Sequence, residues 1–216
     1  MKMRKRIIAA MMAAVFTVLQ VAGSLPMSQV EAASSVKAEF VNLLENSDFE
    51  DKSVELVPHG EGSKVGNWSN FMQETQKVNH DAHTGEWAVE LGAAGGAIEQ
   101  DSDDLQVGAT YVAKVWAKAT DPSSTTAYFG LKNHGAEEVK VKITSDEYTQ
   151  YEIPFTYTGD PASDLPRVYV WVESMGSGAA VYADDFELMT DSDLEEVSIE
   201  NGKITVTYRE DYTGTP

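Results

Sequence analysis

The clearest hydrophobic pattern in the chain is the alternation between residues 108 and 118. The side chains of one parity are apolar or aromatic, namely Tyr111, Ala113, Val115 and Ala117. Because successive strand residues face opposite sides of a sheet, this pattern predicts a strand with one packed face. The other parity places Trp116 between Lys114 and Lys118. An indole among lysines on a solvated face is unusual unless something binds there.

Further short segments with strand character follow, separated by turns rich in Gly, Pro, Asn and Asp. They are residues 40–44, 86–91, 127–132, 138–143, 148–157, 167–173 and 179–189, while residues 97–107 lead into the strand at 108–118. No segment after the N-terminal region keeps a 3.6-residue period, which a helix would require. The sequence therefore predicts an all-β domain, a two-sheet antiparallel β-sandwich.

The strand at residues 167–173 also alternates cleanly. Its three valines form a core face, and the opposite parity carries Arg167, Tyr169, Trp171 and Glu173. In the strand at 127–132, Tyr128 also has non-core parity. By the same parity rule we expect Trp116 and Trp171 to lie together on one non-core face. The alternative is that both tryptophans pack under a loop or a second layer.

Aromatic rings on an open sheet face suit a sugar ligand. A pyranose has an apolar C–H face that stacks on an aromatic ring, and its hydroxyl groups need polar partners at the edge. Trp116, Trp171, Tyr169 and Tyr128 are the candidate stacking residues. The candidate polar partners are Arg167, Glu173, Lys118, Lys132, Asn133 and Gln100. We expect several stacked units, and therefore a groove for a chain.

The N-terminus has the composition of a secretory signal peptide. Basic residues 2–6 precede an apolar run, and Val30-Glu31-Ala32 resembles a cleavage site. We assign residues 1–32 to the signal peptide and 33–38 to a linker, and we expect a secreted or cell-surface protein with no membrane insertion. A transmembrane anchor is the alternative, but the apolar run is short.

The chain is strongly acidic, with a formal net charge of −19 at pH 7. Loss of the basic signal peptide makes the mature chain more acidic still. This charge argues against nucleic acid, and against anionic polysaccharides held by a global field, although a local basic patch would escape that argument. The absence of cysteine means that the core, with or without a metal, must hold the fold without disulfides.

The C-terminal residues 191–216 interrupt the pattern. An acidic stretch leads to a predicted hairpin around Asn201-Gly202, a strong two-residue turn signal. We predict a linker followed by the first hairpin of a further, immunoglobulin-like domain. An extra hairpin packed on the main sandwich is the alternative.

Several motifs occur in an order that resembles a known family. Asn42 opens a segment that ends in Phe49-Glu50, His83-Thr84-Gly85 follows, and Tyr182-Ala183-Asp184-Asp185-Phe186 closes the domain. Residues 39–190 resemble carbohydrate-binding modules of the family 4/9 and 22 type, which are galactose-binding-like jelly rolls. The resemblance implies non-catalytic binding of a polysaccharide or oligosaccharide, and a structural Ca²⁺ ion.

The same resemblance implies the calcium ligands. In the family, the glutamate after the phenylalanine and the first aspartate of the closing pair are ligands, which correspond here to Glu50 and Asp184. Asp185, Asp48 and Glu86 are weaker candidates. Ca²⁺ takes six to eight oxygen ligands, so backbone carbonyl groups near Gly85 would contribute. The alternative is that these acids are solvated turn residues.

Catalysis has little support in the sequence. His80 and His83 have no third zinc ligand nearby, and no Gly-x-Ser-x-Gly motif is present. We therefore predict a monomeric, non-catalytic binding module that targets an appended enzyme or its host surface to a polysaccharide. A structural or adhesive sandwich domain and a polysaccharide lyase or hydrolase remain as alternatives.

Overall fold

A computed structural model describes residues 34–37, 41–190, 194–200 and 203–208, and the side chains of residues 41–190. The chain divides into two compact units, and residues 41–190 belong to the larger one. The strands are β1 (Ser34–Lys37), β2 (Val57–Pro58), β3 (Ser69–Phe71), β4 (Thr75–Val78), β5 (Ala88–Leu91), β6 (Ala97–Asp101), β7 (Thr110–Ala119), β8 (Thr126–Lys132), β9 (Val139–Lys142), β10 (Thr149–Thr156), β11 (Arg167–Ser174), β12 (Val181–Thr190), β13 (Leu194–Glu200) and β14 (Lys203–Tyr208).

The larger unit consists of two sheets. The five-stranded sheet has the order β10-β7-β12-β5-β4, and the six-stranded sheet has the order β2-β3-β6-β11-β8-β9. Apart from the short parallel pair of β2 and β3, neighbouring strands are antiparallel. The described residues contain no helix. The predicted two-sheet antiparallel β-sandwich is therefore confirmed.

The core lies between the two sheets and follows the alternation of the central strands. Val168, Val170 and Val172 of β11 are fully buried, as are Ala113 and Val115 of β7. These side chains fill the space between the sheets, because burying apolar surface is the main favourable contribution to folding. Their parity sends the intervening side chains to the outer faces.

One end of the core is closed by aromatic residues. Trp68 is 1% exposed, and its ring centroid lies 5.2 Å from that of Phe49 and 4.6 Å from that of Phe186. The Trp68 indole Nε1 donates to the backbone oxygens of Glu45 and Asn46, at 2.9 and 3.0 Å. Trp68 is thus a core residue that fixes the N-terminal segment.

The predicted strand at 40–44 was wrong for the described part of that segment, where residues 41–44 have no strand assignment. The side chain of Asn42 replaces strand pairing there. Its Oδ1 accepts the N–H groups of Leu44 and Leu188, at 3.2 and 2.9 Å, and its Nδ2 donates to the carbonyl oxygen of Phe186 at 2.8 Å. A side-chain amide has both a donor and an acceptor, so it can imitate a neighbouring strand.

The smaller unit contains the antiparallel strands β1, β13 and β14, in the order β1-β13-β14. Ser34–Lys37, predicted to lie in a linker, instead forms β1. Strands β13 and β14 pair up to Glu200 and Lys203, as the predicted hairpin requires, while Asn201 and Gly202 lie outside the described residues. The assignment of this hairpin to a further domain stays a prediction.

The predicted signal peptide, residues 1–32, also lies outside the described residues. In the part of the chain that the structure describes, no helix has the length and apolarity needed to cross a membrane.

Candidate functional site

A row of aromatic side chains crosses the outer face of the six-stranded sheet. Trp171 pairs with Tyr128 on one side and with Ala97 on the other. Ala97 in turn pairs with Phe71, and Tyr128 pairs with Lys142. Directly paired residues share one face of a sheet. We call these five residues the aromatic row.

The aromatic row contains one pair of stacked rings, Trp171 and Tyr128, and a third ring, Phe71, at a distance from them. The rings of Trp171 and Tyr128 are nearly parallel, with centroids 6.0 Å apart and planes at 20°. The ammonium group of Lys140 lies 4.4 Å from the Tyr128 centroid and 5.3 Å from that of Trp171. On the other side, the small Ala97 separates Trp171 from Phe71 by two strand spacings, roughly 10 Å. Ala97 is only 7% exposed, so little open space lies above it.

Tyr169 lies next to the aromatic row on the same face of the sheet, two residues before Trp171 on β11. It is only 4% exposed, because it lies over Gly130, its partner on β8. Its hydroxyl donates to Glu138, and burial together with that carboxylate raises the pKa of Tyr169 well above its usual value. The ring of Tyr169 is therefore held in place, and at 4% exposure it offers a ligand almost no surface for the predicted stacking.

Charged side chains lie beyond Tyr169 on the same face. We call this group the polar end: Lys64, Glu99, Asp101, Lys132 and Arg167. Glu99 is 2% exposed and contacts Lys64, while Lys132 and Arg167 lie 3.7 and 3.6 Å from its oxygens. Arg167 also makes a two-pronged contact with Asp101, which raises the pKa of the guanidinium. Such paired hydrogen bonds fix the guanidinium plane.

The two remaining polar candidates lie at the margins of this face. Glu173 is exposed near the end of β11, beyond Trp171. Asn133 is exposed directly after β8 and has a φ of 60°. The structure thus brings Trp171, Tyr169 and Tyr128 together with Arg167 on one face, with Glu173 and Asn133 at its edges.

Gln100 does not belong to this face, which corrects its assignment as a ligand partner. It pairs with Val168 and therefore points into the sandwich, where it is 1% exposed. Its Oε1 accepts the N–H group of Glu45 at 2.8 Å, and its Nε2 donates to the Glu45 carbonyl at 3.0 Å. The Gln100 side chain thus holds the backbone of the N-terminal segment at Glu45 against the sandwich.

Trp116 and Trp171 do not lie on one face, so that expectation was wrong. Trp116 belongs to β7 of the five-stranded sheet, whereas Trp171 belongs to the six-stranded sheet. The imidazole of His83 stacks on Trp116, with centroids 4.1 Å apart and planes at 13°. Lys118, on the same face, pairs with Asp81 at 2.6 Å. Trp116 therefore lies under a loop, as the alternative interpretation had it.

The sequence also matches a known family. The carbohydrate-binding domain family CBM_4_9 matches residues 41–177, more than half of the chain. The chain belongs to this family. No curated protein sequence gives a significant match.

Several solved structures of carbohydrate-binding modules are similar to this carbohydrate-binding domain. TmCBM61 in complex with β-1,4-galactotriose is 21% identical and covers 70% of this chain and 99% of its own, with a TM-score of 0.53. A Family 16 Carbohydrate Binding Module-2 is 23% identical, covers 53% and 84%, and has a TM-score of 0.46. The CBM22-1 domain of Paenibacillus barcinonensis Xyn10C is 12% identical, covers 61% and 90%, and has a TM-score of 0.46. At 21% identity and a TM-score of 0.53, the similarity to TmCBM61 shows a shared fold and no more.

The predicted calcium ligands of the carbohydrate-binding domain hold one turn from two directions. Asp184 accepts the N–H groups of His83 and Thr84, at 2.9 and 3.3 Å. Glu50 accepts those of Glu86 and Trp87, at 2.7 and 2.8 Å. The turn between them contains Gly85, where a Cβ would come to 2.3 Å from a Glu50 oxygen. Only glycine lets the carboxylate approach so closely.

Asp184 is fully buried, and within residues 41–190 no basic side chain forms an ion pair with it. Burial, followed by the neighbouring Asp185, raises its pKa to about 7. A buried carboxylate with few compensating charges is costly in its ionised form. An oxygen donor set with a buried carboxylate suits a hard cation such as Ca²⁺.

The other predicted calcium ligands have different partners. Asp185 accepts hydrogen bonds from the Thr84 hydroxyl and lies 2.7 Å from His83 Nδ1. The carboxylate of Glu86 pairs with Lys52 at 2.7 Å. Asp48 is exposed and accepts the N–H group of Glu50 at 3.3 Å. Within residues 41–190, no group of three or more His, Asp or Glu side chains has a metal-ligating arrangement.

Three side chains of the candidate surfaces were not predicted from the sequence, namely Phe71, Lys140 and Trp87. Phe71 lies in a strand too short to alternate, and Lys140 lies on an edge strand whose face the pattern did not define. Trp87, which has core parity, is only half-buried and lines a cleft of about 440 Å³. The ammonium groups of Lys52 and Lys77 lie 5.8 and 5.5 Å from its ring centroid.

Proposed function

We propose that the chain is an exported, non-catalytic module that binds a polysaccharide on the outer face of the six-stranded sheet. The observation that carries this proposal is the aromatic row, in which Phe71, Trp171 and Tyr128 lie in register across neighbouring strands. Family membership supports carbohydrate as the ligand class.

The aromatic row accounts for affinity. A sugar ring that packs on the partly exposed side chain of Trp171 or Phe71 buries its C–H face against an aromatic surface. Each stacked ring contributes on the order of 1–2 kcal/mol. Because 1.4 kcal/mol corresponds to a tenfold change in the dissociation constant, two or three stacked units are needed for useful binding. A chain is therefore a better ligand than a monosaccharide.

The polar end accounts for orientation. Arg167 and Lys132 are fixed by Asp101 and Glu99 before any ligand arrives, so their remaining N–H groups are positioned at little further cost in entropy. Glu173 and Asn133 add acceptors at the margins. These groups would hydrogen-bond the hydroxyl edges of the bound chain.

We further propose a structural role for calcium at the turn of residues 83–87. Asp184 and Glu50 would hold the ion, and the remaining ligands would be backbone carbonyl groups and water. The ion would neutralise the buried carboxylate of Asp184 and stabilise the folded domain by binding to it. Asp185, Asp48 and Glu86 are subordinate candidates, because only Glu50 and Asp184 correspond to the ligand positions that the family resemblance implies.

In its biological setting the module would bring an appended enzyme, or the surface that carries it, to the polysaccharide. The basic and then apolar sequence of residues 1–32, typical of a signal peptide, supports export. A monomer suffices for this role, because all residues of the aromatic row belong to one chain.

The test is a panel of soluble and insoluble polysaccharides probed by affinity electrophoresis and pull-down. We expect at least one polymer to bind, and the substitution Trp171→Ala to weaken that binding tenfold or more. Trp116→Ala is the matched control, a tryptophan on the other sheet, and it should leave the affinity unchanged. Failure of the whole panel to bind would favour a structural or adhesive domain, while release of reducing ends would indicate an enzyme.

A further inference from the structure

The basic side chains of the larger unit are concentrated on the candidate binding face. Residues 41–190 contain nine lysines and arginines, in a chain with a net charge of −19. Five of the nine lie on the outer face of the six-stranded sheet, namely Lys64, Lys132, Lys140, Lys142 and Arg167. We call these five residues the basic patch. The acidic net charge of the chain does not exclude such a local patch.

The polar end of this patch is only partly neutralised. Lys64 and Arg167 are paired with Glu99 and Asp101, two carboxylates that serve three cations. The third cation, Lys132, lies 3.7 Å from Glu99, and its ammonium group is 5.1 Å from the Tyr169 ring centroid. One positive charge therefore remains uncompensated within this group.

The other end of the patch contains Lys140 and Lys142. Among residues 41–190, no carboxylate lies within ion-pair distance of Lys140 or Lys142. Both are exposed, and Lys142 pairs directly with Tyr128 in the aromatic row. Two exposed acids also belong to this face. Glu138 accepts the Tyr169 hydroxyl but keeps its negative charge, and Glu173 lies beyond Trp171 at the margin. With Glu99 and Asp101 the face thus has four carboxylates against five basic side chains, an excess of one positive charge in a strongly acidic chain.

We propose that the bound polysaccharide is anionic, a chain whose sugar units carry uronate carboxylates. This inference rests on the proposed function and adds the charge class of its ligand. Uronate carboxylates project from the edge of the pyranose ring, so stacking on Trp171 or Tyr128 would bring them to the lysines on β8 and β9.

Lys140 gives the proposal a specific mechanism. Its ammonium group lies over the rings of Tyr128 and Trp171, where it gains a cation–π attraction. A sugar that stacks on those rings must displace it. A uronate carboxylate offers the displaced ammonium group a new partner, whereas a neutral sugar leaves it with water alone. The rings therefore favour a charged sugar over the same sugar without its carboxylate.

The experiment compares matched polymers that differ only in charge. Polygalacturonate, glucuronoxylan and alginate are each paired with their carboxyl-reduced forms, and dextran sulfate is paired with dextran. Affinity electrophoresis and isothermal titration calorimetry give the dissociation constants. In at least one uronate pair, we expect the native polymer to bind tenfold or more tightly than its reduced form.

Charge variants connect the preference to the patch. Lys140→Gln and Lys142→Gln should each reduce the ratio of native to reduced affinity at least threefold. Lys114→Gln, which removes a lysine paired with Glu152 on the other sheet, is the matched control and should leave the ratio unchanged.

The outcomes separate this inference from the function on which it rests. Equal affinity for native and reduced polymers in every uronate pair overturns the charge class and leaves polysaccharide binding intact. Dextran sulfate binding as tightly as the best uronate polymer overturns the assignment to uronate. Failure to bind any polymer of either charge overturns both proposals.

Discussion

Gly130 lies directly beneath Tyr169, so closely that a Cβ atom at position 130 would come to 2.0 Å from the ring carbon Cζ. The two residues pair across β8 and β11. The missing side chain allows the tyrosine to settle into the sheet and to reach Glu138 with its hydroxyl. This pair thus determines how far the Tyr169 ring stands above the sheet, between the aromatic row and the polar end.

The first prediction concerns this pair. Gly130→Ala should lower the free energy of unfolding by about 1–3 kcal/mol, because the added methyl group overpacks the site. It should also weaken polysaccharide binding by lifting Tyr169. Urea unfolding and affinity electrophoresis measure the two effects. In a Tyr169→Ala background the alanine should cost much less, and an equal cost in both backgrounds would show that the steric contact is not the cause.

A second prediction tests the corrected role of Gln100. Gln100→Ala removes both hydrogen bonds to the backbone of Glu45 from a buried position. We expect a loss of about 1–3 kcal/mol in the free energy of unfolding, since the Glu45 N–H group loses the Gln100 amide as its acceptor, while the Glu45 carbonyl keeps the Trp68 indole as a donor. The affinity of the folded protein for its polysaccharide should not change. A variant of normal stability with reduced affinity would return Gln100 to the binding site.

The third prediction concerns calcium. Millimolar Ca²⁺ should raise the melting temperature of the chelator-treated protein, because extracellular sites bind calcium with dissociation constants of about 10⁻⁴–10⁻³ M and stabilise the native state. Glu50→Ala and Asp184→Ala should each abolish the rise. Glu86→Ala should preserve it, because that carboxylate pairs with Lys52. Melting curves that coincide in chelator and in calcium would contradict the site.

The fourth prediction is a pH dependence of the calcium-free protein. Burial and Asp185 raise the pKa of Asp184 to about 7 in the folded state, against about 3.9 when unfolded. Between these values the folded carboxyl holds a proton that the unfolded chain has released, so stability from this group falls as the pH rises. From pH 5 to 8 in chelator, the wild type should lose about 2–3 kcal/mol more than Asp184→Asn.

Urea unfolding at both pH values measures that difference. The asparagine variant carries no proton equilibrium at position 184, so it reports all other titrating groups. Parallel losses in the two proteins would show that Asp184 ionises normally in the folded state.

Local alternation was enough to predict which side chains leave the core. Val168 and Val170 point inward and Tyr169 outward, as the parity of β11 requires. Alternation was not enough to predict which sheet a strand joins. Trp116 and Trp171 have the same outward parity, but β7 pairs with β10 and β12, whereas β11 pairs with β6 and β8. Strand partners depend on long-range contacts that a single strand does not record.

Gln100 shows a second limit of the sequence. All five residues of β6 are buried, on the inner face by the core and on the outer face by partners such as Lys64 over Glu99. A strand covered on both faces loses the contrast between apolar and polar positions. Its two faces could be told apart only once the pairing with β11 was known.

The two tryptophans on different sheets have a practical consequence. The hydrophobic core separates the turn held by Glu50 and Asp184, beside the sheet of Trp116, from the surface that carries Trp171. Side chains at positions 71, 128 and 171 can therefore be randomised in a display library while the anchoring turn stays intact. In such a library the five-stranded layer serves as the scaffold and the six-stranded layer as the variable surface, so that new specificities can be selected without first repairing the fold.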